Sequence, residues 1–456
     1  MKFSFTIIIF VSWSTLTTAN ESQISLEFST YGVIDVDHLC KNEIISFNFT
    51  DSKIISIGRD FINSPWITCL NFTNTYLQNI EKGAFDKLPS LTQLILSNNN
   101  INGNKLFDFG GHENLNILIL NNIINNINNL SYTLPKISEA YPNLQILSVR
   151  GNYISDLETS LEETPFPKLK ILDLSNNNIG NTNFVKLLPN NLRFLYLQHN
   201  SLTSLFFDKK QIDLLTLNLD NNNLSFIKKM TYNYLPNNLY RKPIIVPVSN
   251  SLVMAGLENL QYLSISANQI NDIESNAFED TNKLVYLNLS RNEITFLNSE
   301  TFEKLQSLKS LDLSYNKLND VPEISNETII SILSLSGNKI TKITSNAFIQ
   351  MPKLTKLLLG ENEIEDINVK AFAQLSLLET LDLSKNKLSL LPEGFSESLT
   401  SLKHLNVEGN QFTSLESLSL TSVLSSVEVN VAMNPFKYLN VNYLKSLPQN
   451  LTVVLI

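Results

Sequence analysis

Cysteine is nearly absent: the 456 residues hold two, Cys40 and Cys69, and no C-x-x-C pair. Histidine is scarce as well. His38, His112, His199 and His404 stand far apart with no ligand spacing, and His112, in "GGHENL", reads as a solvent-facing loop residue. H-E-x-x-H, G-x-S-x-G and a glycine-rich phosphate loop are all missing. The expectation is therefore a chain with no catalytic residues, no metal and no cofactor. Charge is sparse at 17%, and 34 basic against 43 acidic residues leave a net −9. No lysine- or arginine-rich run provides the local basic patch that nucleic acid or an anionic membrane demands. Long hydrophobic runs are lacking too. Phe3–Trp13 is a short apolar stretch, well under the roughly 20 residues of a membrane span, and nothing later reaches that length.

What is present points outward from the cell. Lys2, the apolar stretch and Thr17-Thr18-Ala19 read as a secretory leader ending at residue 19; the competing reading is a buried N-terminal strand. The end, "QNLTVVLI", has neither a lipid-anchor tail nor a stop-transfer stretch. The expected localisation is secreted and extracellular. N-x-S/T acceptors occur at Asn20, Asn48, Asn71, Asn129, Asn223, Asn288, Asn326 and Asn450. In an oxidising compartment Cys40 and Cys69 either pair, closing a loop of about 30 residues worth roughly 3–4 kcal/mol, or remain two buried thiols. Apolar residues make up 43%, so material to bury is ample, and the length calls for two or three domains or one repeat array.

A repeat decides between them. "LTQLILSNNNI" (91–101), "LKILDLSNNNI" (169–179), "LVYLNLSRNEI" (284–294), "LKSLDLSYNKL" (308–318) and "LETLDLSKNKL" (378–388) share L-x-x-L-x-L-x-x-N-x-L/I. The asparagine column runs from Ser52 and Thr75 through Asn99, Ile123, Asn152 and Asn177 to Asn434, mostly in steps of 22–25 residues. Two stretches are irregular, near 121–143 and 230–258. The second is read as a degenerate repeat, with Leu239, Ile244 and Pro247 in the leucine, leucine and asparagine columns, which makes about 17 repeats. The x-L-x-L core alternates as a half-buried strand does. A unit this short cannot bury its leucines alone, so neighbours must stack. The column asparagine can satisfy buried backbone groups of two turns, each costing about 1–3 kcal/mol if left bare; Ile123 and Pro247 cannot.

Phe85, Phe278, Phe302, Phe348, Phe372 and Phe395 recur in "GAF", "NAF" and "EGF" settings. With the repeat, this A-F-x-x-L-x-x-L pattern resembles the 24-residue class of extracellular leucine-rich repeat proteins, such as Toll-type receptor ectodomains and Slit-like proteins. The resemblance covers roughly residues 44–436. It implies an α/β-type repeat fold: a curved horseshoe solenoid with parallel strands on the concave face, an irregular or short-helical convex side, and caps. Seventeen strands at about 4.8 Å give an arc of roughly 80 Å. It also implies an N-terminal cap at 20–43, fixed by Cys69 to the second repeat, and a solenoid at 44–436. A cysteine-free C-terminal cap at 437–456, or a truncated final repeat, follows Asn434-Pro435-Phe436; Tyr438 and Asn440 stand where such caps carry cysteines.

Outward strand positions of the middle repeats are rich in aromatics: Phe194, Tyr196, Tyr240, Tyr262 and Tyr286. Tyrosine supplies large rigid area with a polar tip, so these five are the candidate ligand-binding residues; alternatively they pack on one another across strands. Asp173, Asp312 and Asp382 share a column of the same face, either holding a cation or basic partner or standing as solvated surface charges. Asn288 occupies that face beside Tyr286, so a sugar there would shield it. The expected function is recognition of a protein or of a microbial glycan or lipid through the concave face, in innate immunity or as a decoy of Toll type. A matrix or adhesion protein and a non-catalytic carrier subunit are the alternatives.

Overall fold

The computed structural model describes residues 39–40, 45–123, 133–207, 212–229, 250–423, 426–438, 440–448 and 451–454. The expected leader, nearly all of the expected N-terminal cap, Tyr240 and the acceptors Asn20, Asn129 and Asn450 lie outside these residues, as do the centres of both irregular stretches. Two compact units divide the chain, Met1–Leu219 and Asp220–Ile456.

Among the described residues of the first unit, eight strands form one parallel ladder. They are Ser46–Asn48 (β1), Cys69–Asn71 (β2), Gln93–Ile95 (β3), Ile117–Ile119 (β4), Ile146–Ser148 (β5), Ile171–Asp173 (β6), Phe194–Tyr196 (β7) and Thr216–Asn218 (β8). Each pairs residue for residue with its neighbour. The second unit holds nine such strands among its described residues. These are Tyr262–Ser264 (β9), Tyr286–Asn288 (β10), Ser310–Asp312 (β11), Ile332–Ser334 (β12), Lys356–Leu358 (β13), Thr380–Asp382 (β14), His404–Asn406 (β15), Val427–Asn430 (β16) and Leu451–Val454 (β17). From β2 to β15 alternation sends the middle leucine inward, whereas β1 carries the exposed Phe47 at that position. From Leu70 in β2 to Leu217 in β8 none of these is more than 3% exposed, and each contributes roughly 1.5–3 kcal/mol.

The asparagine column works as its chemistry predicts. Asn316 donates from Nδ2 to the carbonyls of Leu289 (2.9 Å) and Leu313 (3.0 Å), while its Oδ1 accepts the Ile294 N–H (3.1 Å). Asn99 does the same through Phe72, Leu96 and Leu77. Where the amide is missing, substitutes appear. The Thr75 hydroxyl donates to Phe72 O (3.0 Å). Ile123 is fully buried and gives its N–H to Asn152 Oδ1 (2.7 Å), so the coil stays in register at the position where the column has no amide.

A second column lies just ahead of the asparagine and was not legible as a rule. Asn98, Asn176, His199, Ala267, Arg291, Tyr315, Glu361 and Lys385 all have φ between 51° and 58°, the left-handed region that costs a non-glycine residue about 1–2 kcal/mol. The turn requires it. In this conformation the N–H reaches the carbonyl of the next coil, as from Arg291 to Ser314 and from Tyr315 to Ser336.

Two-residue parallel strands form the flanks, such as Lys342–Ile343 against Asp366–Ile367, with 3-10 turns at Asn183–Leu187 and Leu415–Leu418. The recurring phenylalanines are buried behind the strands and stack coil on coil, Phe348 on Phe372 at 6.1 Å.

The Asn222 coil is bonded directly to the Asn268 coil: Asn221 N–H reaches Ser266 O (2.9 Å), and Leu224 N–H reaches Asn268 Oδ1 (3.1 Å). Those two turns are in direct hydrogen-bond contact, and Leu239, Ile244 and Pro247 of the expected degenerate repeat lie outside the described residues. At the C-terminus a short helix, Val441–Ser446 (α1), capped by the Asn440 side chain, precedes β17. That strand joins the ladder through β16, as a truncated final repeat would.

Candidate functional site

The strands expose two outward columns, at their first and third positions, that the leucine core does not use. Backbone turns occupy part of the third column. Asn48, Asn71, Asp173, Asn288, Asp312, Asp382 and Asn406 each accept the N–H two residues on at 2.9–3.1 Å. The reading of Asp173, Asp312 and Asp382 as solvated surface charges is therefore corrected. These carboxylates are buried or half-buried and clamp the turn that follows their strand. Burial pushes Asp173 and Asp312 above the usual carboxylate range, against the hydrogen bonds from Ser175 and Ser314 that pull the other way.

In the second unit, Tyr262 and Tyr286 hold the first outward positions of β9 and β10, where they are register partners. Their rings are parallel with centroids 4.5 Å apart, the cross-strand packing that competed with an open patch. Tyr262 is buried and Tyr286 half-buried. Asp220 stands on one side, accepting from Ser264 Oγ (2.6 Å) and the Ser266 N–H (2.7 Å). Burial first, then the charge of Asp220 on Tyr262, and the Tyr262 phenol followed by Asp312 and Asp220 on Tyr286, hold both phenols protonated far above neutrality. The pair is thus a rigid block of two neutral hydroxyls between carboxylates, suited to contact and hydrogen bonding.

In the first unit, Phe194 and Tyr196 lie on β7, half-buried and buried respectively. Phe194 continues the first outward column from Ile117, Ile146 and Ile171, while Ile95 and Ile119 stand together in the third column. This isoleucine block was missed by sequence reading. Isoleucine belongs equally to core positions, and only the register of "LTQLILS" and "LNILILN" shows that it faces outward. Cys40 bonds to Cys69 with Cα atoms 5.5 Å apart, and Cys69 is the first outward residue of β2.

The remaining expected positions divide simply. Asn48, Asn223 and Asn326 are exposed, and Asn71 and Asn288 are half-buried. His112 is half-buried rather than free in a loop: Nε2 lies 3.1 Å from Leu88 O, Nδ1 accepts the Asn114 N–H, and burial lowers its pKa.

Comparison with known proteins follows the same geometry. A leucine rich repeat family model matches residues 254–323 and 352–412, and a second leucine rich repeat model matches 167–182. A solved leucine-rich repeat protein of Leptospira interrogans superposes with a TM-score of 0.56 at 24% identity, covering 78% of this chain and 83% of that one. The chain has the leucine-rich repeat solenoid fold. Fibromodulin of Gallus gallus is 31% identical over 234 residues, which is 45% of this leucine-rich repeat chain and 58% of fibromodulin. The LRIM1/APL1C complex is more distant, with a TM-score of 0.49 at 20% identity over 88% of this chain and 58% of that one.

Proposed function

We propose that this chain is a secreted, non-enzymatic binding protein that holds a protein or microbial ligand on the outward face of its strands. One observation carries the reading. Outward columns that the leucine core does not use are apolar from Ile117 to Phe194, and in the second unit a tyrosine pair sits beside the half-buried Asp220 and the buried Asp312. Large apolar and tyrosine side chains at positions that water normally hydrates are what an interface uses. Innate immune recognition is the version in which the ligand is microbial. The test is parallel affinity capture from extracellular fluid with the parent chain and a Tyr262→Ala/Tyr286→Ala chain of matched thermal stability. Loss of a ligand from the variant supports the reading; equal retention counts against it.

The likeness to fibromodulin supports a second reading, a matrix protein. Sedimentation of the purified chain separates the two. Self-association in the absence of any ligand favours the matrix role.

A further inference from the structure

The isoleucine block of the first unit is on the outward face, yet Ile95 and Ile119 are 0% exposed and Ile117 and Ile146 are 8% exposed. Leu39 and Cys40 pack against it. Cys40 is pinned there twice, by its bond to Cys69 on β2 and by its N–H to Gln93 Oε1 on β3 at 3.2 Å. The chain at 39–40 therefore lies across the strand face, not beyond the edge of β1.

We propose that the segment 20–38, which leads into Leu39, docks on this face, so that the first unit's outward surface is occupied by the chain's own N-terminal segment. Its sequence suits the task. Ile24, Leu26 and Phe28 alternate with Ser25 and Glu27, and Ile34 and Val36 alternate with Asp35 and Asp37. That is the pattern of an extended segment with one apolar side. Nineteen residues extend to roughly 60 Å, against roughly 30 Å from β2 to β8 at the ladder spacing. The disulfide makes docking intramolecular, so modest contacts suffice to keep the segment seated. This rests on the proposed function only in taking the strand face as the ligand surface, and it carries a consequence. A ligand for the first unit must displace the segment.

Amide hydrogen exchange on the full chain tests the docking directly, without any ligand. Residues 20–38 are expected to exchange about tenfold more slowly than a free peptide of the same sequence. Cys40→Ser should reduce that protection, and the segment variant Ile24→Ser/Leu26→Ser/Phe28→Ser should abolish it while leaving β3–β7 protected. The same segment variant should raise the fluorescence of an apolar surface dye severalfold, and a face variant, Ile119→Ser, should release the segment without touching its sequence. Free exchange across 20–38 in the parent chain overturns the proposal. So does a dimer that protects the isoleucine face while the segment exchanges freely. Capture of a ligand, or its failure, leaves these outcomes unchanged.

Discussion

At the residue scale, the coils are joined through single polar side chains buried between turns. Asn316→Ala strips partners from the Leu289 and Leu313 carbonyls and from the Ile294 N–H. It should cost about 3 kcal/mol, given about 1–3 kcal/mol for each buried group left bare. Chemical denaturation measures this. Asp312 gives a pH test with a definite sign. Burial raises its folded pKa above the unfolded value, so folding holds the proton more tightly. Its contribution is most favourable at low pH and is lost as pH rises from the unfolded value through the folded one. Asn occupies the same column at 288 and 406 and accepts the same N–H. Asp312→Asn should therefore raise the melting temperature at neutral pH, with the gap closing as pH falls through the carboxylate range. The asparagine column was legible because one residue type recurs at one spacing. The left-handed column was not, since His199, Ala267, Arg291 and Tyr315 share a backbone angle and no chemistry. Ala267→Gly should stabilise by about 1 kcal/mol by removing the strain at φ 53°.

At the element scale, strand existence and inward leucines were fully visible in x-L-x-L, because a period of two with one apolar side has few other solutions. What each outward position does was only partly visible. Tyr262 and Tyr286 were placed on neighbouring strands correctly, but their stacking depends on side-chain rotation that spacing does not encode. Asp173, Asp312 and Asp382 looked solvated because the turns that their carboxylates clamp are invisible in a linear pattern. The direct bonding of the Asn222 turn to the Asn268 turn has the same origin, since the linear pattern carries no mark of it. By contrast, the exposed pairs along the flank, Lys387 with Glu363 and Lys317 with Glu293, add little. Lys387→Ala should change stability by less than about 1 kcal/mol, which makes it a suitable control for the tyrosine variants.

At the scale of the whole molecule, the proposed binding role joins proposed export, a net charge of −9 and outward strand positions that carry large apolar and tyrosine side chains. Sugars bear on it directly. If the second unit's face is used, glycopeptide mapping should find the exposed Asn223 and Asn326 occupied and Asn288 bare, since a glycan beside Tyr286 would cover the pair. The most direct test is the amide-exchange footprint of a captured ligand on the intact chain. Protection confined to strand-face segments, above all β9, β10 and β11, is the predicted result. Protection confined to the flanks at Lys342–Ile343 and Asp366–Ile367, with the strand face unchanged, would contradict the account.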